Sequence, residues 1–218
     1  MTAVVLAGTA VAWTVALPRY RPGLEAGQSY GVDVSNHQGD IDWQAVADDD
    51  IEFAYVKATE GGDFVDARFA DNWREARAAG LEVGAYHFFT LCRPGAEQAA
   101  NFLATVPPGE ADLPPVIDLE FGGNCSARPA PDVLRAEVEV WIETVEAATG
   151  DDVVLYVMDD FDDRYGITDA FERDRWERRI LRRPERDWVF WQLSFFSQVD
   201  GIEGGVDLDV RRAPAADR

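Results

Sequence analysis

A chain of 218 residues that is 47% hydrophobic and 11% aromatic, with 18 Gly and 11 Pro, can bury one sizeable core. That excludes a disordered or low-complexity protein and makes one globular domain the expectation. The 41 acidic residues against 20 basic ones give a formal charge of -21, whose field repels phosphate backbones and argues against a nucleic-acid partner.

Residues 1–17 carry no charged side chain and are rich in Ala and Val, and Arg19 is the first basic residue. They read as an export segment, either a cleaved signal peptide or an N-terminal anchor, with a buried helix as the alternative. The stretch is short for a span of about 20 apolar residues, and it lacks the basic start of a signal peptide. Residues 18–29, with Pro, Gly and polar side chains and no apolar period, read as a linker.

From Tyr30 onward, β-branched and aromatic runs alternate with helical patterns, the signature of βα units around a parallel sheet or barrel. Strands are expected over 30–35, 53–58, 82–89, 115–120, 153–157 and 188–193. Helices are expected over 67–79, 95–105 and 131–148, where apolar residues recur at three- and four-residue spacing. Gly80 and Gly150 stand just past two of these helices, where a left-handed cap is wanted. After Tyr156 the alternation weakens. Residues 159–165 read as an acidic turn or short helix, 176–181 as strand or helix, and 213–218 as a frayed, flexible tail. Asp159, Asp160, Asp162 and Asp163 read as a solvated acidic stretch and not as a calcium loop, because no loop glycine and terminal Glu follow. No metal or other cofactor is expected.

Cys92 and Cys125 are the only two cysteines and lie 33 residues apart. No metal-ligand spacing accompanies either, and export favours oxidation, so a disulfide is expected, with two unrelated buried thiols as the alternative.

In parallel βα architectures catalytic side chains gather at the C-terminal ends of strands. Acidic residues stand near such ends at Asp33, Asp118 and Glu120, and Asp207 and Asp209 lie in a short apolar run near the C-terminus. The run Leu-Pro-Pro-Val-Ile-Asp-Leu-Glu over 113–120 is the most informative. Side chains alternate faces along a strand, so Asp118 and Glu120 share one side. Two carboxylates in one cavity cannot both ionise cheaply, so one keeps its proton while the other stays charged. Glycosidic cleavage needs that division, a proton for the leaving oxygen and negative charge beside the oxocarbenium-like centre. A salt-bridged structural pair is the alternative for Asp-x-Glu taken alone.

Further segments stand in order around this one. Tyr-Gly-Val-Asp-Val-Ser-Asn-His-Gln-Gly over 30–39, with Ile-Asp-Trp at 41–43, resembles the opening of glycoside hydrolase family 25. Phe-Ala-Tyr-Val-Lys-Ala-Thr-Glu-Gly over 53–61 is similar to the second strand of that family, and Val-Gly-Ala-Tyr-His-Phe-Phe over 83–89 to its third. Phe-Trp-Gln at 190–192 and Gly-Val-Asp-Leu-Asp-Val over 205–210 resemble its closing strands. The resemblance spans about residues 30–211. It implies a single irregular β/α (TIM-like) barrel, a catalytic domain over 30–212, and a muramidase-type lysozyme cleaving the β-1,4 bond between N-acetylmuramic acid and N-acetylglucosamine.

Carried over by position, the resemblance makes Glu120 the general acid, with Asp118, Asp33 and Asp207 in support. It makes Tyr86, Phe88, Tyr156 and Trp191 sugar platforms, with core packing the competing role above all for Phe88 and Phe53, and makes Lys57 a donor to substrate oxygens. Family members are thought to retain anomeric configuration, with the substrate acetamido group or Asp118 as nucleophile. The implied partner is the glycan strand of bacterial peptidoglycan, met outside the cytoplasm by an exported monomer with no membrane contact beyond an N-terminal anchor. With so acidic a chain, wall binding must come from a shaped, aromatic, hydrogen-bonding groove.

His37 and His87 read as structural, since neither has a helical His partner or a nearby nucleophile setting, and Lys57 with Glu60 can form an ion pair. Two features depart from the family pattern. Asp207-Leu208-Asp209 stands where the family closes with Asp-x-Asn, which places a further acid near the site, and residues 158–187 fit poorly. A wall-binding module without catalysis and a chitinase-like hydrolase are the competing functions.

Overall fold

The expected alternation of strand and helix closes on itself in the computed structural model, which describes residues 16–212. The expected export segment, apart from residues 16 and 17, and the expected tail at 213–218 lie outside them. The strands are β1 (Gln28–Val34), β2 (Ile51–Glu60), β3 (Phe64–Val65), β4 (Glu82–Phe88), β5 (Val116–Leu119), β6 (Val154–Val157), β7 (Arg175–Arg178), β8 (Phe190–Ser197) and β9 (Val206–Arg212). They run in the order β1-β9-β8-β7-β6-β5-β4-β2-β3, and β1 also pairs with β2. Eight strands therefore form a closed barrel, and the two-residue β3 hangs from the end of β2. Neighbouring barrel strands are parallel except at β9, which is antiparallel to both β1 and β8. This single reversed strand makes the β/α barrel irregular.

The helices are α1 (Trp43–Asp48), α2 (Phe69–Ala78), α3 (Gly95–Thr105), α4 (Pro131–Thr149), α5 (Asp159–Tyr165) and α6 (Ile167–Ala170). In α4, Pro131 occupies the first turn, where its missing N–H costs nothing. Leu134, Val138, Trp141, Ile142 and Val145 form its buried stripe, and Gly150 closes it at φ 82°. Among the described residues no helix is long and apolar enough to cross a membrane.

Inside the barrel, alternate residues of the strands face one another. Phe53, Tyr55, Leu113, Val116, Val154, Tyr156, Trp176 and Phe190 form one buried cluster, with the Tyr55 and Trp176 rings 4.8 Å apart. Two glycines make room for this fill. A Cβ at Gly31 would stand 2.3 Å from the Phe53 ring, and one at Gly84 would stand 2.4 Å from Tyr55. The aromatic floor leaves the opposite mouth, at the C-terminal ends of the parallel strands, open for chemistry.

One detail departs from the sequence reading, and two places it left open are decided. The stretch read as a linker is irregular but tied to the barrel. Arg21 pairs with Asp49 at 2.6 Å, Gln198 N donates to Pro18 O at 2.8 Å, and β1 already begins at Gln28. Residues 175–178 form a strand, resolving the earlier ambiguity, because they are needed to bridge β6 to β8. The acidic stretch 159–165 forms a short helix in which Asp162 accepts from Thr168 N at 2.9 Å and Asp159 pairs with Arg179 at 3.0 Å.

Candidate active site

A cleft of about 460 Å³ opens at the barrel mouth, and Asp33, Asp118, Glu120 and Asp207 all line it. Asp33 comes from β1 and Asp118 from β5, and Glu120 follows β5 immediately. Asp207 lies near the start of β9 and not at a strand's end. Because β9 runs against its neighbours, it opposes Asp33 directly in register. The reversed strand thus delivers the fourth carboxyl to the same mouth.

Burial pushes all four carboxyls toward the protonated form. Asp118 is raised well above the ordinary range, first by burial and then by the Glu120, Asp33 and Asp207 charges, with Lys57 opposing. Glu120 is raised by burial and by Asp33, against the opposing pull of Arg178 and Lys57. Asp33 is raised by burial, partly offset by the hydrogen bond from Gln192 and by Arg178. Asp207 is pushed up to about 8 by burial and then by Asp33, while Arg178 pulls it down. Their desolvation and mutual repulsion favour shared protons over four full charges. The Asp118 Oδ1 atom is buried without a hydrogen-bond partner among the described residues.

Neutral groups organise the rest of the mouth. Tyr156 donates its hydroxyl to Gln192 Oε1 at 3.0 Å, and Gln192 Nε2 donates to Asp33 Oδ2 at 2.9 Å. Burial holds the Tyr86 and Tyr156 phenols well above their usual range, so both remain hydroxyl donors. Lys57 lines the cleft, pairs with Glu60 at 2.7 Å, and lies 4.9 Å from the Phe88 ring centre. The ion-pair reading of Lys57 is therefore met at the cleft wall itself. Phe88, Tyr86 and Tyr156 also line the cleft.

Trp191 requires a correction. It was expected as a sugar platform, but alternation along β8 turns Gln192 inward and Trp191 outward. There Trp191 is 2% exposed, packs 6.0 Å from Trp188, and donates its indole N–H to Arg179 O at 2.7 Å. Phe53 likewise belongs to the barrel floor. His87 is buried on the outer face of β4, stacked 5.4 Å from Trp141. Gln98 donates its amide to the Thr90 and Arg93 carbonyls, so its Oε1 accepts from His87 Nε2, and His87 Nδ1 accepts from the Thr59 hydroxyl. Burial lowers its pKa to about 3, which keeps the ring neutral. His37 lines the cleft, with Nδ1 2.9 Å from Ser35 Oγ.

Sequence reasoning missed Gln192, Trp176, Arg178 and Asn124. Gln192 stood beside Trp191 in a quoted motif, and only the strand register separates them. Trp176 and Arg178 share one face of β7, in the stretch that matched the family poorly. Asn124 joins two loops. Its Oδ1 accepts from Leu91 N at 2.9 Å, and its Nδ2 donates to Phe89 O at 2.8 Å and to Glu120 O at 3.0 Å. The Cys92–Cys125 disulfide links the same two loops.

Comparison with known proteins points one way. The family model described as glycosyl hydrolases family 25 matches residues 32–202. The uncharacterized protein YegX of Escherichia coli O157:H7 is 41% identical over 191 residues, covering 83% of this chain and 68% of that protein. Lysozyme M1 of Streptomyces globisporus is 32% identical over 206 residues, covering 85% of this chain and 68% of that protein. The structure of a family 25 glycosyl hydrolase from Bacillus anthracis superposes with a TM-score of 0.81 at 37% identity, covering 90% of this chain and 94% of that one.

Proposed function

The chain belongs to glycosyl hydrolases family 25, and from that premise we propose that it is an N-acetylmuramidase. In this reading it hydrolyses the β-1,4 bond between N-acetylmuramic acid and N-acetylglucosamine in bacterial peptidoglycan, with Glu120 as general acid and with retained configuration. The observation that carries the reading is the convergence of Asp118 and Glu120 with Asp33 and Asp207 in one open cleft. The similarity to a protein named Lysozyme M1 supports the substrate class.

Glu120 follows its strand, at the rim of the site, and burial helps it keep a proton. It donates that proton to the departing glycosidic oxygen. Asp118 is set one turn of the pleat deeper and has an unpartnered Oδ1, which suits acceptance from the substrate acetamido N–H. The acetamido oxygen then attacks the anomeric carbon as the leaving group departs, and Asp118 balances the charge that develops. In the second step the Glu120 carboxylate takes a proton from water, which opens the intermediate from the face the leaving group left. In the free protein, burial favours a proton on Asp118 even more than on Glu120. An N–H donated to Asp118 favours its ionised form, which moves the shared proton toward Glu120 as sugar binds.

Lys57 supplies a cationic N–H donor on the Phe88 side, and Tyr86, Phe88 and Tyr156 supply flat apolar faces for pyranose C–H groups. Peptidoglycan lies outside the cytoplasmic membrane, so the reading carries export with it.

The test is release of new reducing ends from purified peptidoglycan. Wild-type protein should release them, and Glu120→Gln should lose about 10²- to 10⁴-fold in turnover while keeping its fold. A wild-type protein that binds sacculi but releases no reducing ends between about pH 4 and about pH 8, where a carboxylic general acid can act, overturns the proposal. Faster cleavage of chitin oligomers than of peptidoglycan overturns its substrate assignment.

A further inference from the structure

A fifth carboxyl lies beneath the four at the mouth. Asp209 on β9 is fully buried, at 0% exposure. Its Oδ1 accepts the Trp176 indole N–H at 3.0 Å. Its Oδ2 is buried, and no donor among the described residues bonds it. What lies beside it is another acid: β9 sets Asp209 opposite Gly31 and Asp207 opposite Asp33, and Gln192, which bonds Asp33, stands opposite Asp209 on β8, so the Asp209 and Asp33 carboxyls are diagonal neighbours on one inward face. Two carboxylates repel, so a hydrogen bond between these neighbours requires a proton.

The surroundings decide which partner carries the proton. Asp33 already accepts from Gln192 on β8 and faces the Arg178 guanidinium of β7, and both favour its charged form. Among the described residues Asp209 has only the neutral Trp176 indole for support, with Asp33 on β1 and Asp207 on its own strand adding negative charge. Tyr55 on β2 also faces it as a neutral phenol. Arg211, farther along β9, is occupied by Glu82 and the Phe53 ring.

We propose that Asp209 is a permanently neutral carboxylic acid that donates its proton to Asp33, a positioning residue that holds Asp33 ionised and aimed into the cleft. The added acid then contributes no negative charge to the mouth. Its catalytic consequence rests on the muramidase reading, but its protonation does not. The burial that raises Asp209 well above the usual carboxyl range acts in the same direction.

Asp209→Asn keeps both hydrogen bonds, with the amide N–H replacing the acid proton and the amide oxygen still accepting from Trp176. Asp209→Ala removes them. The unfolded chain releases the Asp209 proton above about pH 4, whereas the folded protein retains it. Wild-type stability therefore falls with rising pH through a proton that the Asn variant never carries. The expected result is a melting-temperature advantage for Asp209→Asn that widens steadily from about pH 5 to about pH 9.

On peptidoglycan, Asp209→Asn should keep wild-type turnover to within about threefold and leave both limbs of the pH profile in place, because the folded enzyme does not titrate Asp209. Asp209→Ala should lose about tenfold or more in kcat with little change in KM, as for a displaced reacting group. A melting-temperature gap that stays constant with pH overturns the proposal. That comparison needs no activity, so a wild-type protein inert on peptidoglycan removes the functional reading and leaves this test standing. If Asp209→Asn does not fold, carboxyl-carbon NMR of the aspartate-labelled wild type decides instead. The resonance in contact with the Trp176 indole proton must keep the shift of a neutral acid at neutral pH, and the shift of a carboxylate overturns the assignment.

Discussion

Gln192 reaches across the barrel mouth to Asp33, donating from Nε2 to Oδ2 at 2.9 Å while its own Oε1 accepts the Tyr156 hydroxyl at 3.0 Å. One amide thus connects β8, β1 and β6 and orients a carboxyl and a phenol together. Replacing it by Leu preserves the bulk but strands both partners in a buried setting. Gln192→Leu is expected to destabilise the fold by about 1–3 kcal/mol and to lower kcat by roughly one to two orders of magnitude. Thermal melts and reducing-end release measure the two effects.

The carboxyl cluster sets the pH dependence of stability. Asp207 has its folded pKa raised to about 8 by burial and then by Asp33, and Asp33, Asp118 and Glu120 are raised in the same direction. For an acid raised on folding, the native state holds more protons than the unfolded state between the two pKa values. Stability therefore falls as pH rises. The fold is expected to be most stable in mild acid and to weaken steadily from about pH 4 to about pH 8. Asp207→Asn should flatten that slope, and urea unfolding at a series of pH values reads it.

The disulfide between Cys92 and Cys125 closes a loop of 33 residues. On the chain-entropy account its removal costs about 3–4 kcal/mol. It also frees the two loops that Asn124 ties to the Glu120 carbonyl. The Cys92→Ala, Cys125→Ala double variant is expected to melt several degrees lower and to lose turnover as well as stability. Calorimetry and activity at a temperature well below both midpoints separate these contributions.

Gly31 faces the barrel interior where the Phe53 ring fills the space its side chain would take. A methyl there would stand 2.3 Å from ring carbon, so Gly31→Ala should cost about 1–3 kcal/mol through overpacking. Combining it with Phe53→Leu should recover part of that loss. The recovery appears as a coupling energy in a double-variant cycle of urea melts.

The barrel and its carboxylates were legible in the sequence for identifiable reasons. Alternating strand and helix periods marked βα units, and the two-residue period of a strand set Asp118 and Glu120 on one side. Helices with strong apolar stripes, such as Gly95–Thr105 and the Gly150-capped Pro131–Thr149, appeared at or within one residue of their expected bounds. Segments with weak local signals were less legible. Arg175–Arg178 is a four-residue strand whose pattern suits either state, and its conformation follows from the neighbours on both sides that it hydrogen bonds.

What the sequence determined alone was therefore local: the periods, the caps, and the residue types able to hold or give up a proton. Tertiary structure decided everything that depends on which strands meet and in what register. The reversed β9 opposes Asp207 to Asp33, and one step along β8 exchanges a tryptophan for Gln192 at the cleft wall. It also set Asp209 beside Asp33 at full burial, where burial decides the charge of a carboxyl more strongly than its own chemistry does.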